Sequence, residues 1–254
     1  SLNNRNTYSP DPVINLNPSI QKNTDYNQID LLQKFLFKLN AENQLVVNFQ
    51  YSNSSDIPRY DKLVENRNGF LRYAEWYYGP QKRLLFSPQL KIFPRKKLLN
   101  SGKVTIAIQN FEESRISRNF NSLTRITKNE KVNSLSVNGD FEFKIDKKHA
   151  FAYGFEGVYN DVNSFASKKD LIIEENVITG FTPALPFPTR YPSKGSSYRS
   201  YAVYINWVWD LNTQLTLNAG LRLTDTSLQG EWKEYYNINA CLLYTSDAAD
   251  EGHC

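Results

Sequence analysis

"NSLSVNGDFEFKIDKKHAFAYGFEGVYNDV", residues 133–162, changes chemical character at every second position. Leu135, Val137, Phe141, Phe143 and Ile145 share one parity, and Ser134, Ser136, Asn138, Asp140, Glu142 and Lys144 share the other. After Asp146, Lys147 and Lys148 the pattern restarts. Phe151, Tyr153, Phe155 and Tyr159 then oppose Ala150, Ala152, Gly154, Glu156 and Asn160. A period of two is the mark of a strand with two different faces. Two such runs joined by a three-residue polar turn read as a long antiparallel hairpin.

The same period recurs along the chain. Further strands are predicted over 30–39, 44–52 and 83–93, from about 103 onward, and over 198–209 and 214–224, giving eight in all. Leu215, Leu217, Leu221, Tyr201, Val203 and Ile205 are expected on one face, and Asn218, Arg222 and Asn206 on the other. The connections alternate in length. Residues 40–43, 94–102, 146–148 and 210–213 are turn-like and rich in Asn, Asp, Lys or Gly. Residues 53–82, 112–131 and 161–197 read as long loops and hold Pro58, Pro80, Pro183, Pro186, Pro188 and Pro192.

Short turns at one end and long loops at the other describe an outer-membrane barrel. About 9 to 11 tilted residues cross the hydrocarbon. A soluble sheet with its apolar parity inward shows the same alternation. The membrane reading is favoured by strand length, by a wet parity filled with Asn, Gln, Ser and Thr, and by aromatics at strand ends. Tyr51, Phe143, Phe151, Tyr159, Trp207 and Trp209 are the candidate lipid-interface residues, with Phe37 and Phe93 beside them. The expected fold is all-β: a partial, antiparallel, up-and-down transmembrane β-barrel of about eight strands, with long extracellular loops and short periplasmic turns.

Composition narrows the function. The 254 residues include 16 Tyr and 15 Phe, no Met, 2 Cys and 2 His. No run approaches the roughly 18 apolar residues of a spanning helix. The absence of Met and of a signal peptide suggests a chain that starts inside a longer protein or after processing. Residues 241–251, in the tail "CLLYTSDAADEGHC", resemble the translation of a sequencing adapter, so 241–254 is set aside as a non-native tail. Both cysteines and His253 fall there. The remaining body carries 30 basic against 23 acidic side chains, a net +7. With no Cys and only His149, it offers no thiol, disulfide or Cys-rich metal site. His149 reads as a polar turn residue. Asp140 and Glu142 share a wet face, as do Glu112 and Glu113 near a loop, and all four read as hydrated charges or ion-pair partners. No catalytic residue, resident cofactor or metal site is expected, and no nucleic-acid module accompanies the basic residues.

The long loops hold two cationic and aromatic clusters. One gathers Arg59, Tyr60, Lys62, Arg72, Tyr73, Trp76, Tyr77 and Tyr78. The other gathers Arg190, Tyr191, Tyr198 and Arg199. Tyr and Trp give broad contact area and Arg pairs with anionic oxygens. Arg59, Tyr60, Arg72, Trp76, Tyr77, Tyr78, Arg190 and Tyr191 are therefore the candidate ligand-binding residues. The same residues also suit loop packing and contact with lipopolysaccharide.

"YSNSSDIPRYDKL" (51–63), "LRYAEWYYGPQKRLL" (71–85), "YGFEGVYNDVNS" (153–164) and "YAVYINWVWDLNTQLTLNAGLRLTDTSLQG" (201–230) resemble the barrel of TonB-dependent outer-membrane receptors. The resemblance implies a 22-stranded barrel with an N-terminal plug, importing a siderophore, heme or vitamin with energy from the TonB complex. It implies an outer-membrane location, lipid and lipopolysaccharide as neighbours, and no enzymatic activity. The plug and its TonB contact lie outside this sequence. The expected division is an extracellular segment over 1–28, a partial barrel over 29–240 and the tail. "DIPRYDKL" is similar to heme receptors of the family. With no His in the long loops, any heme ligand here would be a Tyr. A passive porin, a structural barrel or adhesin, and a soluble β-sheet binding module are the alternatives.

Overall fold

The computed structural model describes residues 14–94 and 99–232. The 241–254 tail, the first part of the 1–28 segment and the middle of the 94–102 turn lie outside the described residues. Fourteen strands appear in chain order among those described: β1 (Gln28–Lys38), β2 (Asn43–Ser54), β3 (Ile57–Pro58), β4 (Asn66–Arg67), β5 (Phe70–Leu71), β6 (Tyr73–Tyr78), β7 (Lys82–Ile92), β8 (Ser101–Asn119), β9 (Thr124–Lys144), β10 (His149–Glu174), β11 (Val177–Phe181), β12 (Leu185–Pro186), β13 (Ser196–Asp210) and β14 (Thr216–Gly230). One helical turn, α1 (Tyr60–Leu63), follows β3. The main sheet is antiparallel, in the order β1-β2-β7-β8-β9-β10-β13-β14. These are the eight strands expected from the alternation.

Three of the short turns are closed by an Asn or Asp side chain. Asn40, Asp146 and Asn212 each turn an oxygen back onto the chain and accept backbone N–H groups two or three residues on. The donors are Glu42 (2.9 Å), Lys148 and His149 (2.7 and 2.8 Å), and Gln214 and Leu215 (2.8 and 3.0 Å). An Asx side chain replaces a turn's own hydrogen bonds in this way. The N–H donors, that of Lys148 first, hold the Asp146 carboxyl below the usual carboxylate range.

One face of the sheet is apolar over a limited height. On β9 its outer positions run Phe143, Phe141, Gly139, Val137 and Leu135. On β10 they run Phe151, Tyr153, Phe155, Gly157 and Tyr159. Then the same face turns polar on strand after strand: Asn53, Lys82, Asn110, Asn133, Asp161, Arg199 and Asp225. Asn110 and Asn133 bond across this boundary at 2.6 Å. Five alternate positions cover about 27 Å along a strand. A tilt of roughly 40° turns that into about 20 Å of depth, close to the apolar band of a membrane barrel.

The register supplies the tilt. A ladder row starts at Phe37 beside its turn and passes through Leu45, Leu90, Val104, Gly139, Phe155 and Val203 to Leu223, high on β14. Such a stagger is the shear that lets tilted strands close a barrel. Nothing among the described residues covers the apolar face. Val203 and Leu221 are 56 % and 63 % exposed, and Val46, Ile116, Leu171 and Ala202 are the buried apolar residues. A soluble sheet that buries its apolar parity is therefore not this structure.

The opposite face is wired with polar groups. Lys103 pairs with Asp140 at 3.1 Å, and the Tyr204 hydroxyl donates to the same carboxylate. Tyr204 reaches it by lying across Gly154, where an added Cβ would run into both the ring and the Gly139 carbonyl. Arg222 donates to Glu156 at 3.3 Å and Ser101 to Glu142 at 3.2 Å. Asp140 thus takes the ion-pair role expected of it, while Glu142 accepts from a serine hydroxyl.

Several expectations fail: residues 161–174, for one, are the upper half of β10 rather than loop. His149 is not a turn residue. It opens β10 on the apolar parity, stacks on Trp207 and Trp209 at 5.8 and 5.5 Å, and accepts the Trp207 indole N–H at 3.2 Å. Residues 112–131 are not a loop. β8 and β9 run on to a tight turn at 120–123, where Asn121 has φ 58°. Within that extension Glu112 and Glu113 take opposite faces, with Glu112 paired to Lys131 at 3.4 Å.

In the full-length protein refolded into lipid, Ile205→Arg places a cation at the middle of the apolar band. It is expected to cost roughly 2 to 4 kcal/mol of unfolding free energy. Asn206→Arg, one residue on and on the wet face, should cost much less. Equal losses in the same urea titration would refute the assignment of faces.

Candidate functional site

The strands outlast the membrane. β10 is 26 residues long, about twice what the hydrocarbon requires. Above the polar boundary, β8, β9 and β10 stand clear as a wall, and the segments between the main strands fold against it. Residues 55–81 contain β3 to β6 and α1. β4 and β5 close on Asn68 and Gly69, with φ 53° and 84°, and β10 and β11 close on Glu175 and Asn176, with φ 48° and 64°. Left-handed residues at both turn positions match the twist of a two-residue hairpin.

β6 pairs with β8 directly above β7's place in the sheet, with Tyr78 opposite Arg115, Tyr77 opposite Ile116, Trp76 opposite Ser117 and Glu75 opposite Arg118. Alternation then decides what each side chain does. Trp76 and Tyr78 join the inner, wet face. Tyr77 joins the outer one and so stands apart from the other candidates.

On the inner face Arg59 is the hub. Its guanidinium holds Asp61 with two bonds at 2.8 and 2.7 Å, and donates to the Tyr78 hydroxyl at 3.0 Å. It also lies over the Trp76 and Tyr78 rings at 5.4 and 5.5 Å, and those rings meet edge to face at 5.0 Å. Arg115 approaches the same Tyr78 ring at 5.5 Å. The Arg59 bond holds the Asp61 carboxyl below its usual range. Arg72 is occupied elsewhere: it pairs with Glu65 at 2.5 Å, lies over Tyr73 at 4.8 Å, and lowers the Glu65 carboxyl by that bond. Tyr60 is exposed on α1.

The second cluster divides. Arg190 lies over Tyr191 at 5.6 Å, and the Tyr191 N–H donates to Ser164 Oγ at 3.5 Å. Tyr198 takes the inner face of β13, whereas Arg199 takes the outer face opposite Tyr159. What links Arg190 and Tyr191 to the Arg59 hub is a set of residues outside both aromatic clusters. Glu113 on β8 faces Glu130 on β9, which faces Ser164 on β10. Arg115 binds Glu113 at 3.4 Å. The inner wall is thus one patch from Arg59 to Tyr191.

On the outer face Glu75 is buried between two arginines. It receives Arg118 at 3.1 Å and Arg125 at 2.7 and 3.0 Å. Arg118 and Arg125 are direct cross-strand partners, and like charges so placed repel. Glu75 neutralises that repulsion and ties β6 to the wall. Phe181 of β11 completes the group, with Arg125 over its ring at 4.4 Å.

The aromatics expected at the lipid interface separate into two levels. Phe143, Phe151, Trp207 and Trp209 stack at the short-turn end, with centroids 5.1, 6.2 and 5.5 Å apart in sequence. Tyr51 and Tyr159 take the last outer positions before Asn53 and Asp161.

Glu75→Ala leaves the buried Arg118 and the half-buried Arg125 facing each other. Removing one partner of a buried pair costs about 3 to 5 kcal/mol. Amide exchange across 73–78 should accelerate strongly, whereas Asp61→Ala, which removes an exposed pair, should change it little. Comparable effects would show that Glu75 does not anchor β6.

A family described as "TonB dependent receptor-like, beta-barrel" matches residues 1–240. Among solved structures, "Copper transporter OprC" is similar with a TM-score of 0.61 and 10% identity, over 81% of this chain and 29% of that one. "Structure of the RagAB peptide transporter" is similar with a TM-score of 0.46 and 14% identity, over 79% and 28%. The chain therefore spans under a third of the length of either. No curated protein matches.

Proposed function

We propose that this chain, which belongs to the TonB dependent receptor-like β-barrel family, is part of the cargo-binding wall of an outer-membrane importer. The family places the chain in the outer membrane. Cargo uptake, with energy delivered by the TonB complex through a plug elsewhere in the protein, is the activity that this wall would serve. The cargo best suited to the inner patch is an anionic metal chelate such as a ferric siderophore, or heme or a vitamin.

The observation that carries this reading is the joint placement of Arg59, Arg115, Trp76 and Tyr78 on the inner face, continuous with Arg190 and Tyr191. Guanidinium groups meet anionic oxygens and aromatic faces meet a planar or ring-bearing ligand. Arg72, Tyr60 and Tyr77 are peripheral to that patch. Tyr60 and Tyr191, both exposed, supply phenol oxygens where the cargo is heme.

The outer surface fits lipid neighbours. Phe143, Phe151, Trp207 and Trp209 would anchor the periplasmic interface, and Tyr51 and Tyr159 the outer one. Above the latter, Lys82, Lys131 and Arg199 stand on the outer face, where lipopolysaccharide phosphates lie. Among the described residues, 14–27 then precede β1 on the extracellular side and the strands from Gln28 to Gly230 form wall.

Arg190→Ala and Arg59→Ala in the full-length receptor each remove a charged hydrogen-bond donor, a loss of about 1.5 to 3 kcal/mol. Binding of the receptor's cargo, sought among ferric chelates, heme and cobalamin, should weaken by roughly 10- to 150-fold. Tyr77→Ala, on the other face, should leave affinity nearly unchanged. Unaltered affinity in both arginine variants would reject the patch as the cargo site.

A further inference from the structure

Glu130 is an anomaly of the inner wall, beside Arg115, whose Nε is likewise buried without a hydrogen-bond partner. Glu130 is 3 % exposed, and neither carboxyl oxygen has a hydrogen-bond partner. An ionised carboxylate in that condition is costly, and such a group usually becomes neutral instead. Its directly opposed neighbour on β8 is Glu113, and a like charge so close also favours the neutral acid. Its neighbour on β10 is Ser164, 2 % exposed.

The charged groups around Glu130 come from each element packed on it. β8 contributes Glu113 and Arg115, β9 contributes Lys128, and the 182–195 loop contributes Arg190. Burial outweighs the three basic groups and raises the Glu130 carboxyl above its ordinary range; Glu113 acts in the same direction.

The loop rests on the same spot. It runs back along β10, with Leu185 and Pro186 paired to Lys168 and Ser167. The Phe187 N–H then donates to the Ala166 carbonyl at 3.1 Å, and the Tyr191 N–H donates to Ser164 Oγ at 3.5 Å. Ser164 thus has the loop on one side and Glu130 on the other.

We propose that Glu130 is a proton-operated latch for the 182–195 loop, and so for the presentation of Arg190 and Tyr191. As the neutral acid it lies sealed in the wall. On ionising it requires water or a basic side chain, and the packing that holds the loop opens to admit one. A carboxyl raised by folding stabilises the closed form below the ordinary carboxylate range, and that advantage is lost as pH climbs toward the raised value. The loop therefore closes in acid and loosens toward neutral pH. The latch is independent of which cargo is carried.

The test is amide exchange at Phe187 and Tyr191 in the full-length receptor, comparing wild type with Glu130→Gln at each pH so that intrinsic exchange cancels. The ratio of wild-type to variant rates should be near one in acid. It should rise by up to about tenfold per pH unit between the two carboxyl values, then level off. Glu113→Gln, which removes a group that raises Glu130 in the closed form, should leave the onset in place and bring the levelling-off to lower pH, at a smaller final ratio. A ratio independent of pH overturns the proposal, and so does a wild-type loop that tightens as pH rises. Where Glu130→Gln does not reach the membrane, the wild-type profile against Glu113→Gln decides, and an unshifted profile overturns it.

Discussion

Hydrocarbon against one face is the condition on which the rest of this structure stands. The described residues contain four buried apolar side chains, far too few to drive folding in water. What they do contain is an apolar band of limited height, with a polar edge on seven of the eight main strands. Lipid solvates that band, and because lipid offers no hydrogen bonds, each backbone group must pair with a neighbouring strand. The staggered register, the long ladders and the exposed outer strands follow from this. β1 is exposed at every residue and β14 at nearly every one. Each waits for a further strand of wall, as befits a chain spanning under a third of a related structure's length.

Legibility in the sequence follows the same boundary. Where one face meets lipid and the other water, the two parities differ and strands can be read to within about two residues: β1, β2, β7 and β13 match their alternating runs closely, while β14 continues to Gly230, past the expected end at 224. Above Leu135 and Tyr159 both faces meet water or other protein. The alternation then loses its contrast although the strands continue. β8 through Asn119, β9 from Thr124 and β10 through Glu174 therefore read as loops. The hairpin turns are unevenly marked. Asn68-Gly69 is the strongest two-residue signal, but its flanking strands are too short to notice. Glu175-Asn176 carries only the tolerance of Asn for left-handed backbone.

The candidate site shows a related limit. Clusters of Arg, Tyr and Trp point to the right segments because those residues are conspicuous. Composition cannot say that Tyr77 faces away from Trp76 and Tyr78, which depends on the pairing of β6 with β8. Nor can it find Arg115 and Glu130, or the place of Glu113 beside them, since these sit on strand that reads as loop and gain meaning only through cross-strand partners. His149 misleads for the opposite reason. Two lysines beside it suggest a wet turn, while the turn is closed by Asp146 and the imidazole sits among tryptophans.

Above the membrane the wall must fix its strands without lipid, and β6 shows how. A one-residue slip of a strand turns every side chain to the other face. The pairing of β6 already carries an irregularity between Tyr73 and Glu75, so its backbone alone does not enforce one register. Glu75 does. Held by Arg118 and Arg125 on the outer side, it can occupy one position only, because a slipped register would turn the carboxylate inward and leave two facing arginines uncompensated. Its neighbours Trp76 and Tyr78 must then point inward, where Arg59 meets them. A buried ion group is a poor source of net stability. Here its value lies in specificity: a charge on the outside of the wall determines which aromatic faces are offered on the inside.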